Sequence, residues 1–261
     1  MKSAPVGIRA KFLSGEATRR CVPFDTARVP SHSTPMIRHA AAIVVAVFST
    51  ATVLGAGPDT AAARTSTVRA VLGDIVMTRT GAGSTSTTRL TKGGLDSEPV
   101  LAPAGDLVAF VRRVPGRTVE GPTGESDASE IWIVLTDGTG ARRMVECRSA
   151  DKPEANMTDF ANLRFGLDGH ALHFTTAAWA TSGALKGVDI GTGKVRHMGP
   201  SNGFEIVPDG PRRGWFVNCE HRYYPAGGGA YDHFWLTEPS GKATKDLGDD
   251  LEKAMAKARR K

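Results

Sequence analysis

Three stretches of this chain repeat one short unit, a turn that ends in glycine followed at once by an apolar strand. Ala102–Phe110 reads APAGDLVAF, Phe165–Phe174 reads FGLDGHALHF and Ile206–Val217 reads IVPDGPRRGWFV. The turn glycines are Gly105, Gly169 and Gly210, preceded by Pro103, Asp168 and the pair Pro208 and Asp209. Proline presets φ for the second position of a β-turn, aspartate bonds its side chain to the backbone beyond, and glycine accepts a positive φ. Two strands reverse tightly around such a turn.

A second hairpin follows each unit. Glu130–Val145, Ala184–Met198 and Asp232–Leu247 all read as a strand, a glycine-bearing turn and a shorter strand that opens on a polar or basic residue. An orphaned copy of this second half, Asp74–Thr91, precedes the first full unit. Gly169 and Gly210 lie 41 residues apart; Gly105 and Gly169 lie 64 apart, stretched by Val114–Ser129, a Gly- and Pro-containing insert that reads as a loop. Four strands at a period of about 40 residues imply blades of a β-propeller. A blade cannot cover both of its faces, so blades pack on one another. The competing reading is a β-sandwich with coincidental turns; the fixed order of paired hairpins favours the propeller. The 30 Gly and 15 Pro of the 261 residues suit such an all-β, turn-rich chain.

The best-preserved repeat, SEPVLAPAGDLVAF (97–110) followed by SEIWIVLTDGTGARRM (129–144), resembles the TolB-type (WD-like) β-propeller repeat. That repeat runs through Ser-x-Pro, an apolar pair, a Ser-Pro-Asp-Gly turn, an apolar-aromatic strand, and then a second strand with its own Asp-Gly turn. The resemblance covers roughly residues 74–247. Ala104 stands where the family has its turn aspartate, and Gly166-Leu167 precede Asp168 where it has Ser-Pro. The resemblance implies a propeller of four-stranded antiparallel sheets and a role in envelope assembly or transport. TolB-type propellers usually have six or seven blades, whereas about four are recognisable here. A small ring closed by pairing Asp74–Thr80 with the last blade, an open arc, extra unrecognised blades and a truncated chain all remain open. An open ring exposes strand edges that invite oligomers.

The front of the chain reads differently. Residues 1–63 carry seven basic and three acidic groups, which accounts for most of the net charge of +6. The rest is nearly balanced and shows no basic stripe interleaved with aromatics, so nucleic acid is not expected as a partner. Met36-Ile37-Arg38-His39 precedes a run with no formal charge from Ala40 to Pro58, and Ala61-Ala62-Ala63 supplies a small-residue exit. This is the form of a secretory signal peptide over 36–63, cleaved after Ala63 or nearer Gly57. The alternative is an uncleaved anchor, but the run barely reaches the length of a spanning helix. No stable transmembrane span is expected after processing, and the location is periplasmic or secreted. Residues 1–35 are polar and aperiodic and read as an extension upstream of a true start at Met36. The body is then 64–248, followed by a short helical, basic tail over 249–261 that reads as a solvated end.

Three cysteines are present. Cys21 falls in the discarded front, which leaves Cys147 and Cys219 either bridged, as an oxidising compartment allows, or buried as inert thiols. No catalytic constellation stands out, and no metal or cofactor is expected. Gly191-Thr192-Gly193-Lys194 lacks the spacing of a phosphate loop, since Val188 and Val195 occupy the deciding positions. His170 and His173 sit three apart on one strand, hence on opposite faces. The candidate binding loop is Cys219–His233, which gathers Glu220, His221, Arg222, Tyr223, Tyr224, Tyr231, Asp232 and His233 around three glycines and holds all three tyrosines of the chain. Such a loop suits contact with an envelope protein or a small ligand. The leading expectation is a non-enzymatic binding scaffold. The other is a propeller hydrolase or metal-dependent lyase acting on a periplasmic saccharide or peptide, with His221, Arg222, Tyr224 and His233 near its site.

Overall fold

The computed structural model describes residues 49–52, 65–122, 124–225 and 227–260. They form four four-stranded antiparallel sheets, each a meander in chain order, and one helix. Blade 1 is β1 (Ser49–Thr52), β2 (Thr65–Val71), β3 (Asp74–Gly81) and β4 (Ser84–Arg89). Blade 2 is β5 (Asp96–Leu101), β6 (Leu107–Gly121), β7 (Gly124–Leu135) and β8 (Arg142–Val145). Blade 3 is β9 (Ala161–Phe165), β10 (Ala171–Ala177), β11 (Gly183–Asp189) and β12 (Val195–Pro200). Blade 4 is β13 (Gly203–Ile206), β14 (Phe216–Tyr223), β15 (Ala230–Thr237) and β16 (Ala243–Gly248), followed by α1 (Leu251–Arg259). The fold is a β-propeller, and the repeated units are its blades. Each glycine turn joins the first two strands of a blade and each second hairpin forms its outer two.

Alternation along the strands distributes side chains to two neighbours. Along β6, Val108 and Phe110 face blade 1 and join Val68, Ile75, Met77 and Val134 in one apolar layer. Their neighbours Ala109 and Val111 face blade 3 and join Ile131, Ile133, Leu172 and Phe174 in the next. The register Phe110↔Trp132 and Ala109↔Ile133 keeps both strands in step. A strand buried on both faces has no polar side, which is why β6 opens as the unbroken run LVAFV. A third layer, Leu185, Met198, Phe204 and Phe216, joins blades 3 and 4.

No hydrogen-bonded pairing joins blade 1 to blade 4 among the described residues. Ring closure through Asp74–Thr80 does not occur, because β3 is paired on both edges within its own blade, to β2 and β4. The two end faces are covered differently. The outer face of blade 1 carries the cross-strand rows Thr65–Thr80–Thr85, Thr67–Thr78–Thr87 and Arg69–Val76–Arg89, polar except at Val76. The far face of blade 4 is apolar, and α1 lies on it. Ala254 and Ala258 are fully buried there against Val207, Val217, Cys219, Phe234, Leu236 and Leu247. The tail is therefore a packed cap rather than a solvated end. Asp250 caps its first turn by accepting from Lys253 N at 2.9 Å.

Other sequence expectations change as well. Val114–Ser129 is no loop: β6 and β7 run through it as one long hairpin, with a register shift between Arg113 and Thr118. Cys147 and Cys219 do not bridge; the first is buried in the layer between blades 2 and 3 and the second in the layer under α1. Burial pushes the Cys147 thiol up, away from the reactive thiolate. Residues 1–48 and 53–64, which hold the expected extension and most of the expected signal peptide, lie outside the described residues. Ser49–Thr52 of that signal segment pairs with Thr65–Val68 as β1; cleavage after Ala63 removes this strand and leaves β2 at an edge.

The turn between β2 and β3 locks blade 1 to blade 2. Leu72 and Gly73 both take positive φ, and Asp96 N donates to Gly73 O at 2.7 Å. A Cβ on Gly73 would stand 2.3 Å from the Gly94 backbone carbon, where no side-chain rotation relieves it. Gly73→Ala is expected to lower stability by on the order of 3 kcal/mol, read from the urea midpoint; an unchanged midpoint would show that this docking is not needed.

Candidate functional site

Meander topology sorts the connections to two ends of the blades. The glycine turns at Pro103–Gly105, Asp168–Gly169 and Pro208–Gly210 join first to second strands and share one end with the third-to-fourth turns. The second-to-third turns and the crossovers between blades share the other end. The long β6–β7 hairpin of blade 2 and the tyrosine-bearing β14–β15 hairpin of blade 4 both project at this second end. Between them blade 3 has only the tight turn after Ala177, in which Trp179 N donates to Ser182 O at 2.8 Å.

A pocket of about 350 Å³ opens there, at the seam of blades 3 and 4. Trp179, Thr181 and Ser182 line it from the β10–β11 turn, Pro200, Ser201 and Asn202 from the crossover, and Glu220, His221 and Arg222 from β14. The crossover is fixed from both sides: Gly183 N donates to Asn202 Oδ1 at 2.9 Å, and Asn218 Nδ2 donates to Pro200 O at 2.8 Å. Across the seam the hydroxyls of Thr181 and Tyr223 lie 2.7 Å apart. Arg222 Nη2 donates to Glu220 Oε2 at 3.0 Å, while its guanidinium lies 5.4 Å from the Trp235 ring. Burial pushes the Glu220 carboxyl up, against the opposing pull of Arg222 and His233. Tyr223 and Tyr224 remain 61% and 52% exposed, and Trp179 38%.

The structure divides the candidate loop. His221 and Arg222 line the pocket and Tyr223 bonds across it. Tyr231 and His233 stand on the opposite side of the sheet from His221, because Glu220 pairs with His233 and His221 with Asp232. His221 Nδ1 lies 3.7 Å from Asp232, and His233 Nε2 lies 2.9 Å from Asp246. The expected pairing of His221 with His233 around a metal fails on this alternation. Among the described residues no group of three or more His, Cys, Asp and Glu is placed to hold a metal ion. His170 is exposed at the turn, whereas His173 is buried against Phe216 at a centroid distance of 4.8 Å. Sequence reasoning included Glu220 in the candidate loop but missed Trp179, Thr181, Ser182, Pro200, Ser201 and Asn202 as lining residues. The only signal for them is the polar, Gly-containing spacing between two apolar strands, which marks a turn but not what faces it.

No family model and no curated protein sequence matches the chain. Among solved structures, the chain is similar to TolB from Agrobacterium tumefaciens at 16% identity and a TM-score of 0.48, over 78% of this chain and 63% of that one. It is similar to the propeller domain of the Trilobed protease from Pyrococcus furiosus at 11% identity and 0.47, over 78% and 58%. A manganese complex of oligogalacturonate lyase matches at 14% and 0.46, over 78% and 54%. The chain thus spans less than two thirds of the length of each. Nothing about activity follows from likenesses this distant, and the propeller is established by the chain's own four sheets.

Proposed function

We propose that this protein is an exported, TolB-like propeller that acts as a binding scaffold, with the seam of blades 3 and 4 as its binding face. One observation carries the reading. Three aromatic side chains stay exposed at one end of blades 3 and 4: Trp179 lines the pocket, Tyr223 bonds Thr181 across the seam, and Tyr224 follows at the end of β14. Exposed aromatics on loops that a packed scaffold positions are characteristic of contact surfaces. Export and a periplasmic or secreted location are supported by the basic, apolar and Ala-x-Ala succession of Met36–Ala63. No helix of the described residues is long and apolar enough to cross a membrane. The repeat's TolB-type resemblance supports an envelope partner. No observation favours the hydrolase or lyase reading, whose two histidines face apart.

Tyr224 packs on Tyr231 at 4.8 Å but belongs to no buried layer, so its removal tests the surface without disturbing the fold. Tyr224→Ala is expected to reduce capture of an envelope partner roughly tenfold at an unchanged melting temperature. Leu72→Ala, at a 93% exposed residue of blade 1, serves as the control and should leave capture intact. Equal capture by both variants would overturn the assignment of this face.

A further inference from the structure

We propose that the seam pocket binds a neutral, polyhydroxylated ligand, a short saccharide, with one sugar face laid on Trp179. The proposal rests on the reading of this seam as the binding face and names the chemistry that it selects.

Charge comes first. Glu220 and Arg222 pair at 3.0 Å, and His221 has its own carboxylate, Asp232, at 3.7 Å. The pocket therefore presents both signs already matched. An anion must displace Glu220 from Arg222, and a cation must approach Glu220 past Arg222; each exchange costs desolvation without adding a net ion pair. A neutral ligand meets neither penalty.

Hydrogen-bonding capacity comes second. The remaining Glu220 oxygen accepts, the remaining Arg222 N–H groups donate, and the Ser182 hydroxyl does both. Donors and acceptors interleaved around a small volume match ligand hydroxyls, each of which also donates and accepts. A ligand with only one kind of polar group leaves half of the lining unpaired. At about 350 Å³ the pocket is near the lower limit for small-ligand sites, which suits a short ligand whose ends emerge into solvent.

The platform comes third. Trp179 sits on a turn closed by reciprocal backbone hydrogen bonds with Ser182, 2.8 and 3.4 Å long, and keeps 38% of its surface exposed at the pocket. An aromatic face in this position offers apolar area to the C–H face of a sugar ring, while the polar rim takes the hydroxyls. The Thr181–Tyr223 bond holds the two blades at a fixed distance, so little is spent on ordering the site.

The test uses the whole protein, titrated calorimetrically with neutral tetrasaccharides built from glucose, galactose and N-acetylglucosamine, and with an oligouronate as the charged comparator. At least one neutral series is expected to bind and the oligouronate to bind more weakly. Trp179→Ala should weaken binding roughly tenfold at an unchanged melting temperature, with Trp179→Phe recovering most of the loss. Glu220→Gln, which leaves the Arg222 charge unmatched, should shift preference toward the oligouronate. Failure of every neutral tetrasaccharide to bind, tighter binding of the oligouronate by the unmodified protein, or indifference to Trp179→Ala overturns the proposal. If the saccharides fail while Tyr224→Ala still loses its envelope partner, the ligand class falls and the binding face stands; if Tyr224→Ala also has no effect, both fall.

Discussion

Ending the chain at Gly248 is expected to convert the protein into a self-associating species with a markedly lower melting temperature. α1 is the only cover on the far face of blade 4 among the described residues, and beneath it lie Val217, Cys219, Phe234, Leu236 and Leu247, all buried. Exposing five such side chains creates an apolar patch of the kind that monomeric proteins avoid. The transfer cost is several kcal/mol at about 25 cal/mol per Å². The helix is also tied polar group to polar group: Lys257 Nζ donates to Leu247 O at 2.7 Å, and Arg212 Nη1 donates to the carbonyls of Ala258 and Arg260. Gly210, the glycine of the third repeat turn, leaves room for the end of the helix; a Cβ there would lie 2.6 Å from Arg259 O. A gentler variant separates undocking from chain loss. Ala254→Asp keeps the chain length and places a charge in the buried layer, so it should lower stability by on the order of 3 kcal/mol. Size-exclusion elution and melting unchanged in both variants would show that α1 is not a cap.

Stability should rise with pH in two separate windows. Burial, aided by the Arg196 cation and opposed by Asp168, pushes the His173 imidazole down to about 4 from an ordinary 6.5. As pH falls from 6.5 toward 4 the unfolded chain takes up this proton before the folded one does, so stability is complete above 6.5 and lost below it. Lys186 is fully buried in β11, where its ammonium donates to Glu154 O at 2.7 Å and Pro153 O at 3.3 Å. Burial pushes it down to about 8 from 10.5, with Arg148 adding to the effect and Glu154 opposing it. Below 8 the folded state bears the cost of a buried charge; between 8 and 10.5 it sheds the proton before the unfolded chain does, and stability rises. Each window is worth on the order of 3 kcal/mol, with a plateau between about 6.5 and 8. Urea midpoints measured across this range check the profile. His173→Phe should flatten the acid step, since it keeps an aromatic ring beside Phe204 and Phe216 and removes a buried Nδ1 without a hydrogen-bond partner. Lys186→Met should flatten the alkaline step. The absence of both steps, or steps that neither variant flattens, would refute the assignment of both groups.

The blades were legible because their cause is local. Turn chemistry at Pro103–Gly105, Asp168–Gly169 and Pro208–Gly210 and two-residue alternation act over a handful of neighbours, so the motif marks the first hairpin of blades 2, 3 and 4 wherever they pack. Blade 1 was half legible: its outer hairpin, β3 and β4, has the expected form, but β1 and β2 lie partly in a segment whose composition reads as an export signal. The insert Val114–Ser129 misled for an equally local reason. Its Gly116, Gly121 and Gly124 suggest a loop, yet cross-strand pairing from Thr118↔Asp127 to Gly121↔Gly124 carries the hairpin through them.

The sequence alone therefore determined the repeating blade, its four-strand order and the position of a tyrosine-rich hairpin in the last repeat. Only the tertiary structure decided what that hairpin meets. Thr181 and Tyr223 are 42 positions apart and come within 2.7 Å because blade 3 packs on blade 4 through Leu185, Met198, Phe204 and Phe216. Register decided that His221 and His233 face apart, although both belong to one loop in sequence. Packing likewise decided that α1 is a cap, since Ala254 and Ala258 have meaning only against the apolar face of blade 4. Such contacts depend on how faces stack over long separations in the chain, and no local pattern of residue types encodes that.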